Sequence, residues 1–167
     1  VQYPHDGGVS AIRFYFGNRR HALARTAADA ITVGFCDAGD LVCQCGAPPD
    51  SWSAHVTERW ATLICSCNGS SLPLYIGPPP RMSVADASSV GCPTCAESRH
   101  AVAIAIGYAA PVPALGSLDA ERAQEIVVAL RCAGCRAEHI GWRLLLPEPY
   151  PVNSDDDWLA AIQGRFR

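Results

Sequence analysis

The sequence predicts an α+β fold of short antiparallel strands, with a βαβ-like segment at its N-terminus and a helix at its C-terminus. Three observations lead there. Runs rich in branched and aromatic residues at 11–16, 31–36, 60–64, 72–76, 101–106, 125–130 and 139–146 read as strands. Eight of the nine cysteines form four close pairs lodged between those runs. Two amphipathic stretches, near 19–30 and 155–163, read as helices.

The strand at 11–16 comes first. Asn18 is placed to cap a helix over 19–30, where Ala22, Leu23, Ala27, Ala30 and Ile31 make an apolar stripe. The chain returns as a strand at 31–36, ending on Cys36, which reads as a small buried hydrophobe. Pro78, Pro79 and Pro80 mark a linker over 79–90. A second proline-bearing stretch, 110–116, interrupts the interval before a short helix capped by Ser117. At the far end Ser154 caps a helix whose first turn holds Asp155, Asp156 and Asp157, as the helix dipole favours. Trp158, Leu159 and Ile162 form its apolar face. The domain division expected is 1–38, a first cysteine module over 39–78, the linker 79–90, a second module over 91–148, and a tail helix in 149–167.

Composition narrows the function. The chain has 167 residues, 49% of them hydrophobic and 17% charged, which favours a folded core over disorder. All 13 cationic side chains are arginine. With no lysine there is no Schiff-base, Walker-A or kinase-lysine chemistry. GxGxxG, HExxH and GxSxG are also missing. Candidate acids and bases such as Asp37, Asp40, His55 and Asp86 are scattered without a catalytic spacing, so no enzyme is expected. No stretch approaches the roughly 18 apolar residues of a membrane span. Residues 1–6 lack the regions of a signal peptide, from which a reducing, cytoplasmic setting is expected, or a viral or other assembly formed there.

The cysteine pairs carry the chemistry. They are Cys43 with Cys45, Cys65 with Cys67, Cys92 with Cys95, and Cys132 with Cys135. A tight turn points two sulfurs at one ion, and two such turns complete a tetrahedral four-sulfur site. A disulfide at this spacing closes almost no loop and stabilises little. Gly46, Gly69 and Gly134 stand where such turns use positive φ, and Pro93 presets a turn dihedral. Sequential pairing has the shorter loops to close, 46–64 for the first site and 96–131 for the second, and interleaved pairing stays open. Zn²⁺ is the expected ion at both sites, with iron as the rival. His100 and His139, five and four residues past a CxxC, are alternative ligands or neighbours of the site.

Those turns and their flanking strands resemble the zinc-ribbon group of folds, over about 40–78 and 90–147. The resemblance implies antiparallel hairpins around two Cys₄ zinc sites, and nucleic-acid binding in transcription or translation. The CxC spacing of the first module departs from the usual CxxC. A transcript-cleavage ribbon would carry an Asp-Glu pair at a hairpin tip, where this chain has Asp119-Ala-Glu121.

Net charge is -3, which opposes a general attraction to nucleic acid, and zinc-thiolate centres add further negative charge. Only residues 1–35 are basic. Arg13, Tyr15, Arg19, Arg20 and Arg25 form the candidate nucleic-acid contact there. The expected function is a non-catalytic zinc-binding structural or adaptor protein whose partners are protein subunits of a larger complex. Nucleic-acid binding is the alternative. Trp52, after a proline-rich turn, and Trp158, on the tail helix, are the expected interface anchors, while Trp60 and Trp142 are expected to fill cores.

Overall fold

A computed structural model describes residues 12–14 by their backbone, and 22–43, 45–76, 80–108 and 123–146 with side chains. The strands are β1 (Ile12–Phe14), β2 (Phe35–Cys43), β3 (Trp52–Val56), β4 (Ala61–Cys65), β5 (Ser71–Leu74), β6 (Ser88–Ser89), β7 (His100–Tyr108), β8 (Ala123–Cys132) and β9 (Glu138–Leu145). One helix, α1 (Ala22–Asp29), and a 3₁₀ turn at Val84–Asp86 accompany them. Every strand pairing is antiparallel.

This is a β-rich fold, which corrects the α+β expectation. Among the described residues there is a single α-helix of eight residues. The segment around it is not a βαβ unit either, because β1 pairs antiparallel with β2, Ile12 opposite Cys43 and Phe14 opposite Leu41. The expected tail helix, with Trp158, lies outside the described residues. So does the short helix expected after Ser117.

The central strand is β7, and its sequence explains why. Val102, Ile104, Ile106 and Tyr108 alternate with Ala101, Ala103, Ala105 and Gly107. Side chains alternate faces along a strand, so one face is large and the other small. β8 pairs with β7 along its whole length, from His100 opposite Cys132 to Tyr108 opposite Ala123. On β7's other edge, β2 pairs over Ala103 to Tyr108, and β3 takes over at a single point, Trp52 opposite His100. The strip β3-β4-β5 continues from there. The stretch 79–90 contributes β6, which pairs with β3 at Val56 and His55.

The sheet curls so that its large face closes on itself. Leu41, Trp52, Leu63, Leu72, Ile104, Val128, Leu130 and Trp142 meet in one cluster. The Trp142 indole N–H donates to the Thr57 carbonyl at 2.8 Å, tying β9 to the turn after β3. On the small face, α1 lays Leu23, Ala24 and Ala27 against Ala38, Ala103, Ala105, Val127 and Ala129. Alanine on both surfaces permits a close approach of helix to sheet. Bonds from Ala30 N–H to the Ala27 carbonyl and from Ile31 N–H to Ala28 tighten the last turn and end the helix.

The connection after α1 is pinned by a buried charge. Glu125, 0% exposed, accepts from the Thr32 backbone N–H at 2.6 Å and pairs with Arg143 at 3.4 Å. Arg143 also donates to the Ala30 carbonyl. A buried carboxylate is tolerated only with such partners.

Gly141 is the extra residue of a bulge in β9, between the pairs Val128–Trp142 and Ala129–Ile140. A Cβ there would lie 2.4 Å from Leu130 Cδ1 and 2.8 Å from its Cγ. Leu130 is fully enclosed and has no room to turn away. Gly141→Ala is therefore expected to cost about 1–3 kcal/mol through overpacking. A lower urea midpoint with an unchanged slope checks this, and an unchanged midpoint contradicts it.

Candidate metal centres

The second centre sits at the root of the longest strands. Cys132 is the last residue of β8, and Cys135 lies in the turn into β9. Cys92 and Cys95 lie in the turn that precedes β7. All four sulfurs are within 4.8 Å of one another, with Cys92 to Cys135 at 3.5 Å and Cys95 to Cys132 at 3.4 Å. Tetrahedral sulfurs about 2.3 Å from a zinc ion stand about 3.8 Å apart, whereas a disulfide needs about 2.05 Å. None of the eight cysteines of the two centres is in a disulfide.

The two turns are built alike. In the first, Cys92 N–H donates to the Glu97 carbonyl and Ala96 N–H to the Cys92 carbonyl, each at 2.8 Å. In the second, Cys132 N–H donates to Ala137 at 2.9 Å and Arg136 N–H to Cys132 at 3.1 Å. Ala133 N–H bonds the Arg99 carbonyl at 3.0 Å, locking one turn to the other. Backbone N–H groups also face the sulfurs: Thr94 to Cys92 at 3.4 Å, and Gly134 to Cys132 at 3.3 Å. Positive φ falls on the residue after the second cysteine, Ala96 at 64° and Arg136 at 67°. Gly134 was expected to supply it. It instead lies against the sulfurs, where an added Cβ would sit 3.5 Å from Cys95 Sγ.

This geometry prepares the thiols for metal. N–H groups of Cys95 and Thr94 hold Cys92 down to about 6, which favours its thiolate. Cys135 is pushed up to about 11: the Ala137 N–H lowers it, but contact with the Cys92 thiol and burial outweigh that. Cys135 thus stands as proton donor to Cys92 across 3.5 Å, and a bound cation would displace that proton and favour four thiolates.

The first centre is less symmetric. Cys43 ends β2, Cys45 lies in the turn after it, and Cys65 ends β4. Their three sulfurs lie within 4.8 Å of one another, with Cys45 to Cys65 at 3.8 Å. Gly46 follows at φ 78°, and Ala47 N–H faces Cys45 Sγ at 3.4 Å. The Cys43 thiol and the Ala47 N–H bring Cys45 down to about 7, while burial pushes Cys43 up to about 11. Cys67 is exposed and stands outside that tight trio, although its thiol contacts Cys45, which raises its pKa. Sequence reasoning missed Asn68, whose amide Nδ2 reaches Cys43 Sγ at 3.6 Å while its Oδ1 accepts from Ser70 N–H at 2.9 Å. The Asn68-Gly69 dipeptide after Cys67 was the available signal. The grouping of the sulfurs is sequential at both centres.

His100 and His139 join neither sulfur group. They pack edge-on, ring centroids 5.4 Å apart, and burial lowers the pKa of both. His100 Nδ1 meets the Ser98 carbonyl at 3.1 Å, and its 0% exposure removes it from the surface. Cys36 is half-buried on β2 rather than enclosed.

Trp52, expected against a partner, is 1% exposed and belongs to the core. Inward orientation follows from its pairing with both Cys65 and His100. Trp60 and Trp142 are also buried. Of the candidate nucleic-acid contacts, Arg25 is exposed on α1 and Arg13 lies in β1. Tyr15, Arg19 and Arg20 lie outside the described residues. Among the described residues, no helix is long and apolar enough to cross a membrane. Comparison with protein-family models, with curated proteins and with solved structures finds no match to this chain.

Proposed function

We propose that this chain is a non-catalytic protein held in shape by two zinc ions, which presents its sheet to a protein partner within a larger assembly. The observation that carries the reading is the second centre, with four sulfurs in two interlocked turns at the ends of β7, β8 and β9. A full set of four thiolates leaves no open position for water or substrate, which is the mark of a structural ion. Zinc suits the set because thiolates are soft ligands and the site needs no redox partner. Free thiols at both centres fit a reducing compartment.

A protein partner is favoured over nucleic acid. Net charge is -3, and four-thiolate centres make it more negative. Among the described residues β9 pairs only with β8, and this edge strand exposes Ile140 and Leu145. Native mass spectrometry of the complex purified with the full chain tests the reading. Two zinc ions and a protein subunit retained with the chain are expected. A chain without metal, or one that binds an oligonucleotide tightly at physiological salt with a steep salt slope, overturns it.

A further inference from the structure

We propose that the first centre holds its metal with three fixed thiolates, Cys43, Cys45 and Cys65, and that its fourth position is exchangeable between Cys67 and a small thiol from solution. This rests on the two-centre reading above and assigns one of the two ions a different role.

The argument comes from the backbone. Three turns of the chain share one frame, in which residue i donates its N–H to the carbonyl of i+5, and i+4 returns an N–H to the carbonyl of i with positive φ. The turns starting at Cys92 and Cys132 have it, as described above. The turn starting at Cys65 has it too: Cys65 N–H to Ser70 and Gly69 N–H to Cys65, both at 2.8 Å, with Gly69 at φ 72°. In the first two turns the ligand positions are i and i+3, giving Cys92 with Cys95 and Cys132 with Cys135. In the third, position i+3 is Asn68. Cys67 falls at i+2, the position of Thr94 and Gly134, whose side chains contribute nothing to the other centre.

The one-residue offset has chemical consequences. Asn68 Nδ2 donates toward Cys43 Sγ, and its Oδ1 is engaged by Ser70 N–H, so the amide supports a thiolate without supplying a fourth anionic ligand. Cys67 lies on the exposed side of the turn, outside the group in which every sulfur is within 4.8 Å of every other. A Zn²⁺ ion with three thiolates carries a charge near -1 and keeps one position free for a soft donor. In the exchange, the bond from zinc to Cys67 sulfur breaks and a bond from zinc to the incoming sulfur forms. The proton of the incoming thiol passes to Cys67. No electrons change hands.

The test uses the full chain loaded with two ions, and its Co²⁺-substituted form. N-ethylmaleimide should modify Cys67 at least about tenfold faster than Cys43, Cys45 or Cys65, with both ions retained. Cys67→Ser should still bind two ions, whereas Cys65→Ser should lose one. In the Co²⁺ form of Cys67→Ser, added 2-mercaptoethanol should shift the d–d bands saturably. The double variant Cys67→Ser/Asn68→Cys restores the spacing of the second centre, and its bands should not respond. Protection of Cys67 in the two-ion chain, together with loss of one ion from Cys67→Ser, overturns the proposal and makes Cys67 a permanent ligand. A wild type that takes up an ion at the second centre alone overturns the two-centre reading instead, and is distinguished by stoichiometry.

Discussion

Stripping the metal from the full chain will unfold it. A structural zinc ion contributes on the order of 10 kcal/mol, and a domain of this kind is stable by only about 5–15 kcal/mol in all. The second centre matters most because Cys132 is opposite His100 at the end where β7 and β8 join β3. Without the cation, nothing but the turn hydrogen bonds holds the four sulfurs of the two turns together. The strip β3-β4-β5 reaches β7 through the single pair Trp52–His100, so it should go first. A strong chelator added to the holo chain should abolish the cooperative thermal transition and shift tryptophan fluorescence to the red. A chain shown to be metal-free by elemental analysis, yet melting at the holo midpoint, would refute this.

Trp52→Ala should be the most damaging single substitution that leaves every sulfur in place. The indole is 1% exposed, and large-to-small changes at such sites cost about 3–5 kcal/mol for an aromatic. Its position adds to this. Trp52 is the one residue of β3 in register with β7, so it joins the strip β3-β4-β5 to the rest of the sheet. The variant should melt at a markedly lower temperature while still binding two ions when folded. If its midpoint is unchanged and only capture of a partner protein weakens, the side chain faces outward and the core assignment is wrong.

The readability of this chain varied with the range of the contacts. The alternation Val102-Ala103-Ile104-Ala105-Ile106 announces a strand with unlike faces, because the period of two is a local property. The cysteine pairs announce their turns for the same reason. β3 was passed over: residues 52–56 fall in the interval read as a loop, although Trp52, Ala54 and Val56 alternate with Ser53 and His55 in a short run of period two. What makes them a strand is pairing with Ala61–Cys65 on one side and with Ser89 and His100 on the other. The strand expected at 31–36 overlaps β2 only at Phe35 and Cys36: residues 31–34 form the connection after α1, and β2 runs on to Cys43 although Asp37, Gly39 and Asp40 are poor strand formers. Pairing to β7 and β1 overrides that propensity. The position of Asn68 was hidden for a different reason. Spacing counts residues between cysteines, whereas the turn counts from its first hydrogen bond.

The two interlocked turns also set the order in which this chain can assemble. Residues 96–131 separate Cys95 from Cys132, and closing so long an interval in an unfolded chain costs about 3 kcal/mol of entropy. A strand-first route must meet that cost in the transition state, before the ladder between β7 and β8 returns anything. A route that begins with the ion meets it through sulfur–metal bonds formed at the foot of that ladder, after which the strands zip upward from His100 and Cys132. On the two-ion reading proposed above, the free concentration of the metal should act on the folding rate as well as on the equilibrium, and a nascent chain starved of it should linger with its most apolar strands unpaired.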